Sequence, residues 1–287
     1  MGQGEREMTG NHSLIGVDSV VDALMSQLDA VRLSYPTRPV VVTGPAGSGR
    51  SSVLRAAAAR AVRQGWWVGI ADVSAHGTLA SALDLAVEDA LIDCPKGPFH
   101  ERVSNARRRF VQEAASSPFD LSEAFNHLLP VLAADPGSSR IAIFVDDLHH
   151  VAPAARRALL DGMITMASTG APAGLIPSYQ TTSTQDTLDV APELINEQRM
   201  LPFTSDDMIE LGLRYGLRLD ADALDAFKRV TNGNPGKVVA ALQRINRGLR
   251  PAPAQAAPVV PPPPPVPMLE PVAETHHPMM TSAHSAG

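Results

Sequence analysis

Cysteine is almost missing from this chain. Cys94 stands alone among 287 residues, so no intrachain disulfide can form. A fold without cross-links fits a reducing cytoplasm. Charge is scarce as well: Asp, Glu, Lys and Arg make up 19% of the residues. The net charge is −6 and the pI is near 5.8. That balance argues against a broadly nucleic-acid-binding surface and leaves room only for a local basic patch. No stretch approaches about 18 uninterrupted apolar residues, so no transmembrane helix or membrane insertion is expected. Met1 to Met8 has no apolar signal core, which again points to the cytoplasm. No internal repeat is visible. Core-forming material is plentiful: 44% of the residues are hydrophobic, enough for one large or two small domains.

Residues 44–51 read Gly-Pro-Ala-Gly-Ser-Gly-Arg-Ser. They follow the apolar run Pro39-Val40-Val41-Val42-Thr43 and precede the helical run Ser51 to Ala56. A buried strand, a glycine-rich loop and a helix start, in that order, frame a phosphate-binding P-loop. Gly44, Gly47 and Gly49 permit backbone angles and close approaches that side chains would block. The loop amides and the helix N-terminus then form an anion site. The predicted phosphate-binding residues are Gly44, Pro45, Ala46, Gly47, Ser48, Gly49, Arg50, Ser51 and Ser52. Ser51 supplies a hydroxyl for magnesium. Arg50 occupies the position where this frame usually carries lysine. A plain glycine-rich turn is the bland alternative; it does not account for the flanking strand and helix together.

Such a site needs an acid at the end of a second buried strand. The run Ile141-Ala142-Ile143-Phe144-Val145-Asp146-Asp147 provides it. Consecutive apolar residues suit a strand covered on both faces, and its C-terminal end is where α/β sheets bind ligands. Asp146 is predicted to hold magnesium, usually through water, and Asp147 to orient or deprotonate an attacking water.

Periodicity and turn chemistry predict helices over Asp18 to Leu33, Arg50 to Arg63, 78–92, 100–115, 120–133 and Pro153 to Met166. Pro130 is expected to kink one of them and Pro136-Gly137 to end it. Further strands are expected at Val40–Thr43, Trp66–Ala71, Ala173–Pro177 and near Arg199–Leu201. From Ser205, a good N-cap, to Asn246 three short helices follow, the last after the turn Thr231-Asn232-Gly233-Asn234-Pro235. From Pro251 onward there are 11 prolines, five of them consecutive. That composition favours extended polyproline II and predicts a spacer, with a docking strip for a partner as the alternative.

The order of these pieces resembles an AAA+ type ATPase of the STAND or Orc-like kind, over about residues 13–248. Ser13-Leu14-Ile15-Gly16-Val17-Asp18 is similar to the family's opening motif near the adenine, with Val17 where an arginine is usual. Val145-Asp146-Asp147-Leu148-His149 is similar to its acidic strand, and Gly233-Asn234-Pro235 to the turn of its lid, whose proline lies near adenine. The segment Leu201 to Asp207 is similar to the lead into that lid. The resemblance implies an α/β fold: a P-loop NTPase parallel sheet with flanking helices, plus a small all-α lid. It implies an ATPase domain at 13–203 and a helical lid at 204–249, between the flexible N-terminus at 1–12 and the disordered Pro-rich tail at 250–287 that composition predicts. It implies ATP and Mg2+ as ligands, with Gly16 and Pro235 at the nucleotide.

The departures bear on activity. Arginine keeps lysine's charge but brings a wide planar fork. Gln180 stands where many STAND members carry an arginine. Both changes point to slow hydrolysis of ATP to ADP and phosphate, with Asp147, Arg50 and Gln180 as the catalytic set. Arg199 is the candidate for an arginine acting on a neighbouring subunit's site, with solvation at a strand edge as its plain reading. Lys237 is a candidate lid sensor one residue beyond the family's usual arginine. Asp146, Asp147, His149 and His150 do not converge as a metal cluster, since consecutive strand residues point to opposite faces. Arg102 with Arg107-Arg108-Arg109 is read as a solvated basic face. The DNA-binding winged helix common after such lids is not seen, so the chain is expected to act on a protein partner or its own copies. The alternatives are a non-catalytic nucleotide-binding adaptor and a DNA-associated ATPase of the transposition-helper type.

Overall fold

The computed structural model describes residues 15–117, 121–133, 141–182, 188 and 190–248. The predicted N-terminal segment, the Pro136-Gly137 helix stop and the Pro-rich tail lie outside the described residues. Among the described residues five strands form one all-parallel sheet: β1 (Val40–Gly44), β2 (Trp67–Asp72), β3 (Ile141–Asp146), β4 (Leu175–Gln180) and β5 (Asn196–Arg199). Their spatial order is β2-β3-β4-β1-β5. The C-terminal ends of β3, β4 and β1 therefore stand side by side, and the acidic pair, Gln180 and the glycine-rich loop leave the sheet along one edge.

Alternation within the strands sorts the core into two layers. Ile141, Ile143 and Val145 face α4 (Leu79–Ile92), α5 (Pro98–Ser116), α6 (Ser122–Leu132) and α7 (Pro153–Ser168). Ala142 and Phe144 face α1 (Asp18–Arg32) and α2 (Arg50–Arg63) on the other side. A strand buried on both faces carries apolar residues without a break, which is how β1 and β3 read in the sequence. This is the P-loop NTPase architecture.

Three helices follow β5: α8 (Ser205–Arg214), α9 (Ala221–Thr231) and α10 (Pro235–Asn246). They enclose a small core of their own, Met208, Phe227, Val238 and Leu242. Side chains define their starts. Thr204 and Asp207 exchange hydrogen bonds in a capping box, Asp220 accepts from Ala223 N–H, and Asn234 accepts from Lys237 N–H.

Several expectations shift. The last strand is Asn196–Arg199, earlier than Arg199–Leu201; Leu201 is exposed and Pro202 cannot donate to a ladder. Thr204, not Ser205, is the N-cap of α8. The strand placed at Ala173–Pro177 runs on to Gln180, so Ser178, Tyr179 and Gln180 belong to the sheet. Pro177 sits at a handover: β4 pairs with β3 up to Val145–Pro177 and with β1 from Val42–Ser178 onward. A one-turn helix, α3 (Val73–His76), was not expected; the Asp72 carboxylate caps it. Helix α6 continues through Pro130 to Leu132. No helix among the described residues is long and apolar enough to cross a membrane.

Candidate functional site

The chain leaves β1 at Gly44 and enters α2 at Arg50. Gly47 (φ 73) and Gly49 (φ 94) take left-handed backbone angles that L side chains rarely adopt. A Cβ on Gly44 would lie 2.8 Å from the Met200 Cβ, so the loop can settle on Met200 only with glycine there. The loop closes on itself through Ser48 N–H to the Pro45 carbonyl at 3.1 Å. Ser48 is buried, and its hydroxyl has no partner. An orphaned buried hydroxyl beside the amides of a helix N-terminus fits a loop shaped for an oxyanion.

Arg50 turns back across this loop and is 6% exposed. Its Nη1 donates to the Gly44 carbonyl, and to the Pro45 carbonyl at 3.0 Å. Its Nη2 donates to Gln180 Oε1 at 3.2 Å and lies 3.6 Å from Asp147 Oδ1. Burial pulls the guanidinium below its ordinary pKa, while Asp147 and then Asp146 oppose that shift. One side chain thus joins the loop, the end of β4 and the acidic pair.

Asp146 is 5% exposed, and its Oδ1 takes two hydrogen bonds: Ser178 Oγ–H at 2.7 Å and Asp147 N–H at 3.1 Å. Ser178 Oγ also accepts from Asp147 N–H at 3.1 Å. Asp147 itself is left-handed (φ 60), which turns its carboxylate off the strand toward Arg50. Ser178 had not been singled out from the sequence. Its signal is a hydroxyl on a strand that is otherwise buried and apolar at that depth. His149 Nδ1 lies 3.7 Å from Asp147 Oδ1, and its ring lies against that of His150, centroids 4.1 Å apart and tilted by 39°. Burial, and then His150, push the His149 pKa below the usual histidine value. Among the described residues no group of three His, Cys, Asp or Glu side chains is arranged to hold a metal ion.

On the other side of the loop opens a cleft of ≈ 700 Å³. Its polar wall is Gly47 to Ser52, and its apolar wall includes Ile15, Val17, Phe203, Tyr215 and Pro235. Gly16 is not among the lining residues; its flanking residues Ile15 and Val17 are, while Gly16 (φ 71) turns the chain against Asp207. Gly44, Pro45 and Ala46 form the far limb of the loop, outside the lining. Asp146, Asp147 and Gln180 lie behind Arg50. Arg214 and Tyr215 complete the cleft, and sequence reasoning missed both.

Other candidates fall elsewhere. Arg199 is on the edge strand β5, 43% exposed, with Nε 3.5 Å from Glu197 Oε1. Lys237 is exposed and does not line the cleft. The basic strip is largely answered within the fold. Arg107 bridges Asp84 and Glu88, Arg108 meets Asn105, and Arg102 lies over the Phe99 ring.

Residues 13–176, more than half of the chain, match the family described as the AAA ATPase domain. The chain belongs to that family. Agreement at the level of fold comes from a solved structure with a TM-score above 0.5. Drosophila ORC bound to DNA superposes with a TM-score of 0.51 at 12% identity, covering 82% of this chain and 56% of that one. AMPPCP-bound DnaA from Aquifex aeolicus gives 0.46 at 13% identity, with 80% and 61% covered. The Aeropyrum pernix ORC1 protein in complex with DNA gives 0.47 at 14%, with 82% and 60% covered. The AAA ATPase chain thus spans about three-fifths of the length of these neighbours. No curated protein matches it.

Proposed function

We propose that this AAA ATPase domain binds magnesium–ATP between the glycine-rich loop and the helical lid, hydrolyses it slowly, and uses the difference to switch a partner. The observation that carries the proposal is the position of Arg50, bonded to the loop carbonyls on one side and to Gln180 and Asp147 on the other. The apolar wall of Ile15, Val17, Phe203, Tyr215 and Pro235 suits a purine base, and the loop suits its phosphates. Ser51 and Asp146 would hold Mg2+, which when bound neutralises phosphate charge. Arg50 and the amides at the start of α2 hold the phosphates, and Asp147 with Gln180 orients water for in-line attack. The family resemblance divides the chain into an ATPase domain (13–203) and a lid (204–249). It also carries the finer reading, a STAND-like switch of bacterial type acting in the cytoplasm on a protein partner or a further copy of itself, to which Arg199 would be presented. Neighbours caught on DNA keep a DNA-associated ATPase as the second reading. The net charge of −6 weighs against it.

Magnesium–ATP is expected to raise the melting temperature of the full chain by linkage. No shift with ATP, ADP or GTP at millimolar concentration would end the proposal. Two substitutions probe Arg50. Arg50→Ala removes a charged donor from the phosphates and is expected to weaken ATP binding about tenfold or more. Arg50→Lys keeps the charge in a compact form that cannot span Gln180 and the loop carbonyls together. It is expected to leave binding intact and to raise turnover. A fall in turnover for Arg50→Lys would show a loop adapted to arginine. Deleting Pro251–Gly287 is expected to leave ATP affinity unchanged, because the described residues that line the cleft lie between Ile15 and Val239. Weaker binding by the shortened chain would place the tail in the site.

A further inference from the structure

The lid meets the phosphate loop through backbone groups. Asn234 uses both ends of its amide: Oδ1 accepts from Lys237 N–H at 3.1 Å and caps α10, while Nδ2 donates to the Ala46 carbonyl at 2.7 Å. Two residues on, Gly236 N–H donates to the Gly47 carbonyl at 2.8 Å. That donor is available because the first N–H groups of a helix have no intrahelical acceptor, and Pro235 offers none. Glycine on both sides allows the approach. A Cβ on Gly47 would lie 2.8 Å from Asn234 Oδ1, and one on Gly236 would lie 3.1 Å from the Gly47 carbonyl oxygen.

The bonded carbonyls belong to the peptides that build the loop. In a trans peptide the C=O and the following N–H point in opposite directions. Fixing the Ala46 and Gly47 carbonyls toward the lid therefore aims the Gly47 and Ser48 N–H groups back into the loop. Ser48 N–H there closes the turn on Pro45. The lid thus sets the orientation of two peptides that a phosphate would read.

We propose that Asn234 is a positioning residue for the phosphate site, tying lid closure to the shape of the anion cradle through the loop backbone. This rests on the reading of residues 44–51 as a phosphate-binding loop. The coupling runs both ways: phosphate that settles the loop also holds the lid, and lid opening loosens the loop. An amide suits the position because it accepts for the helix cap and donates across the gap at once.

Asn234→Ser separates the two jobs. Serine is a good neutral N-cap, so α10 keeps its start. Its short hydroxyl gives up the long reach to Ala46. In the full chain with magnesium–ATP as the probe, Asn234→Ser is expected to keep the wild-type melting temperature without nucleotide. It is expected to bind ATP about three- to tenfold more weakly and to exchange the Gly236 amide hydrogen faster. Asn234→Ala, which also loses the cap, is expected to lower the melting temperature as well. Wild-type affinity and wild-type Gly236 exchange in Asn234→Ser would reduce Asn234 to a helix cap and overturn the proposal. The two readings fail separately. If the wild type binds no nucleotide, the phosphate reading falls, while the tie still stands or falls on exchange in the nucleotide-free protein. Gly236 protected in wild type and released in Asn234→Ser supports it, and Gly236 unprotected in wild type overturns it.

Discussion

Asp147→Asn is expected to abolish ATP turnover, by about 100-fold or more, while ATP affinity is kept or improved. Asp147 stands at the end of β3 with a left-handed backbone (φ 60), a conformation that asparagine adopts readily. The substitution therefore spares the local fold. Asp146, Ser178 and their hydrogen bonds are not touched, because the Asp147 N–H that joins them is backbone. What is lost is a carboxylate that can take a proton from water. What is gained is a less engaged Arg50, since the guanidinium no longer faces a charge at 3.6 Å and has more to offer a phosphate. Phosphate release and equilibrium ATP binding measured on one sample separate the two effects. Turnover equal to wild type would remove Asp147 from the chemistry and leave it as a partner of Arg50 alone.

Gly69→Ala is expected to be the most damaging single-methyl change in the sheet. Gly69 lies in the middle of β2, where α4 crosses so closely that a Cβ would stand 1.9 Å from the Ala86 carbonyl oxygen. The obstacle is backbone, so no rotamer change relieves it. The helix must move off the strand and uncover Ala82, Leu83 and Ala86, all fully buried. Overpacking of this kind costs about 3 kcal/mol, a fall of roughly 6–12 °C in melting temperature for a domain of this size. Gly97→Ala is the control. Gly97 has no atom within 4 Å of the added carbon and an extended φ, so it is expected to stay within about 0.5 kcal/mol of wild type. Equal melting of the Gly69 and Gly97 variants would mean that α4 does not rest on β2 in this way.

Gly69 also shows what the sequence could and could not convey. Strands β1 and β3 were legible because burial on both faces leaves an unbroken apolar run, and α1 was legible from the helical spacing of its apolar residues. The glycine inside β2 was read only as part of a strand; its reason lies in a helix that crosses from elsewhere in the chain. Strand β5 was misplaced for a related cause. Asn196-Glu197-Gln198-Arg199 pairs with β1 alone at the sheet edge and keeps its side chains largely in water, so nothing apolar marks it. At the site, the glycine-rich loop and the acidic pair are local in sequence and can be read there as motifs. Ser178, Arg214 and Tyr215 come from distant segments that meet the loop only after folding. The double use of Asn234 was hidden in the same way, since in the sequence it reads only as part of the turn before α10.

Everything proposed for this chain depends on magnesium–nucleotide binding at residues 44–51, held on the metal side by Asp146. Calorimetric titration of the full chain with ATP, with and without magnesium, tests it most directly when wild type and Asp146→Asn are compared. One saturable site per chain is expected in wild type, tightened by magnesium, and binding in Asp146→Asn is expected no longer to respond to the metal. An absence of binding by wild type, or an unchanged magnesium response in Asp146→Asn, would contradict it.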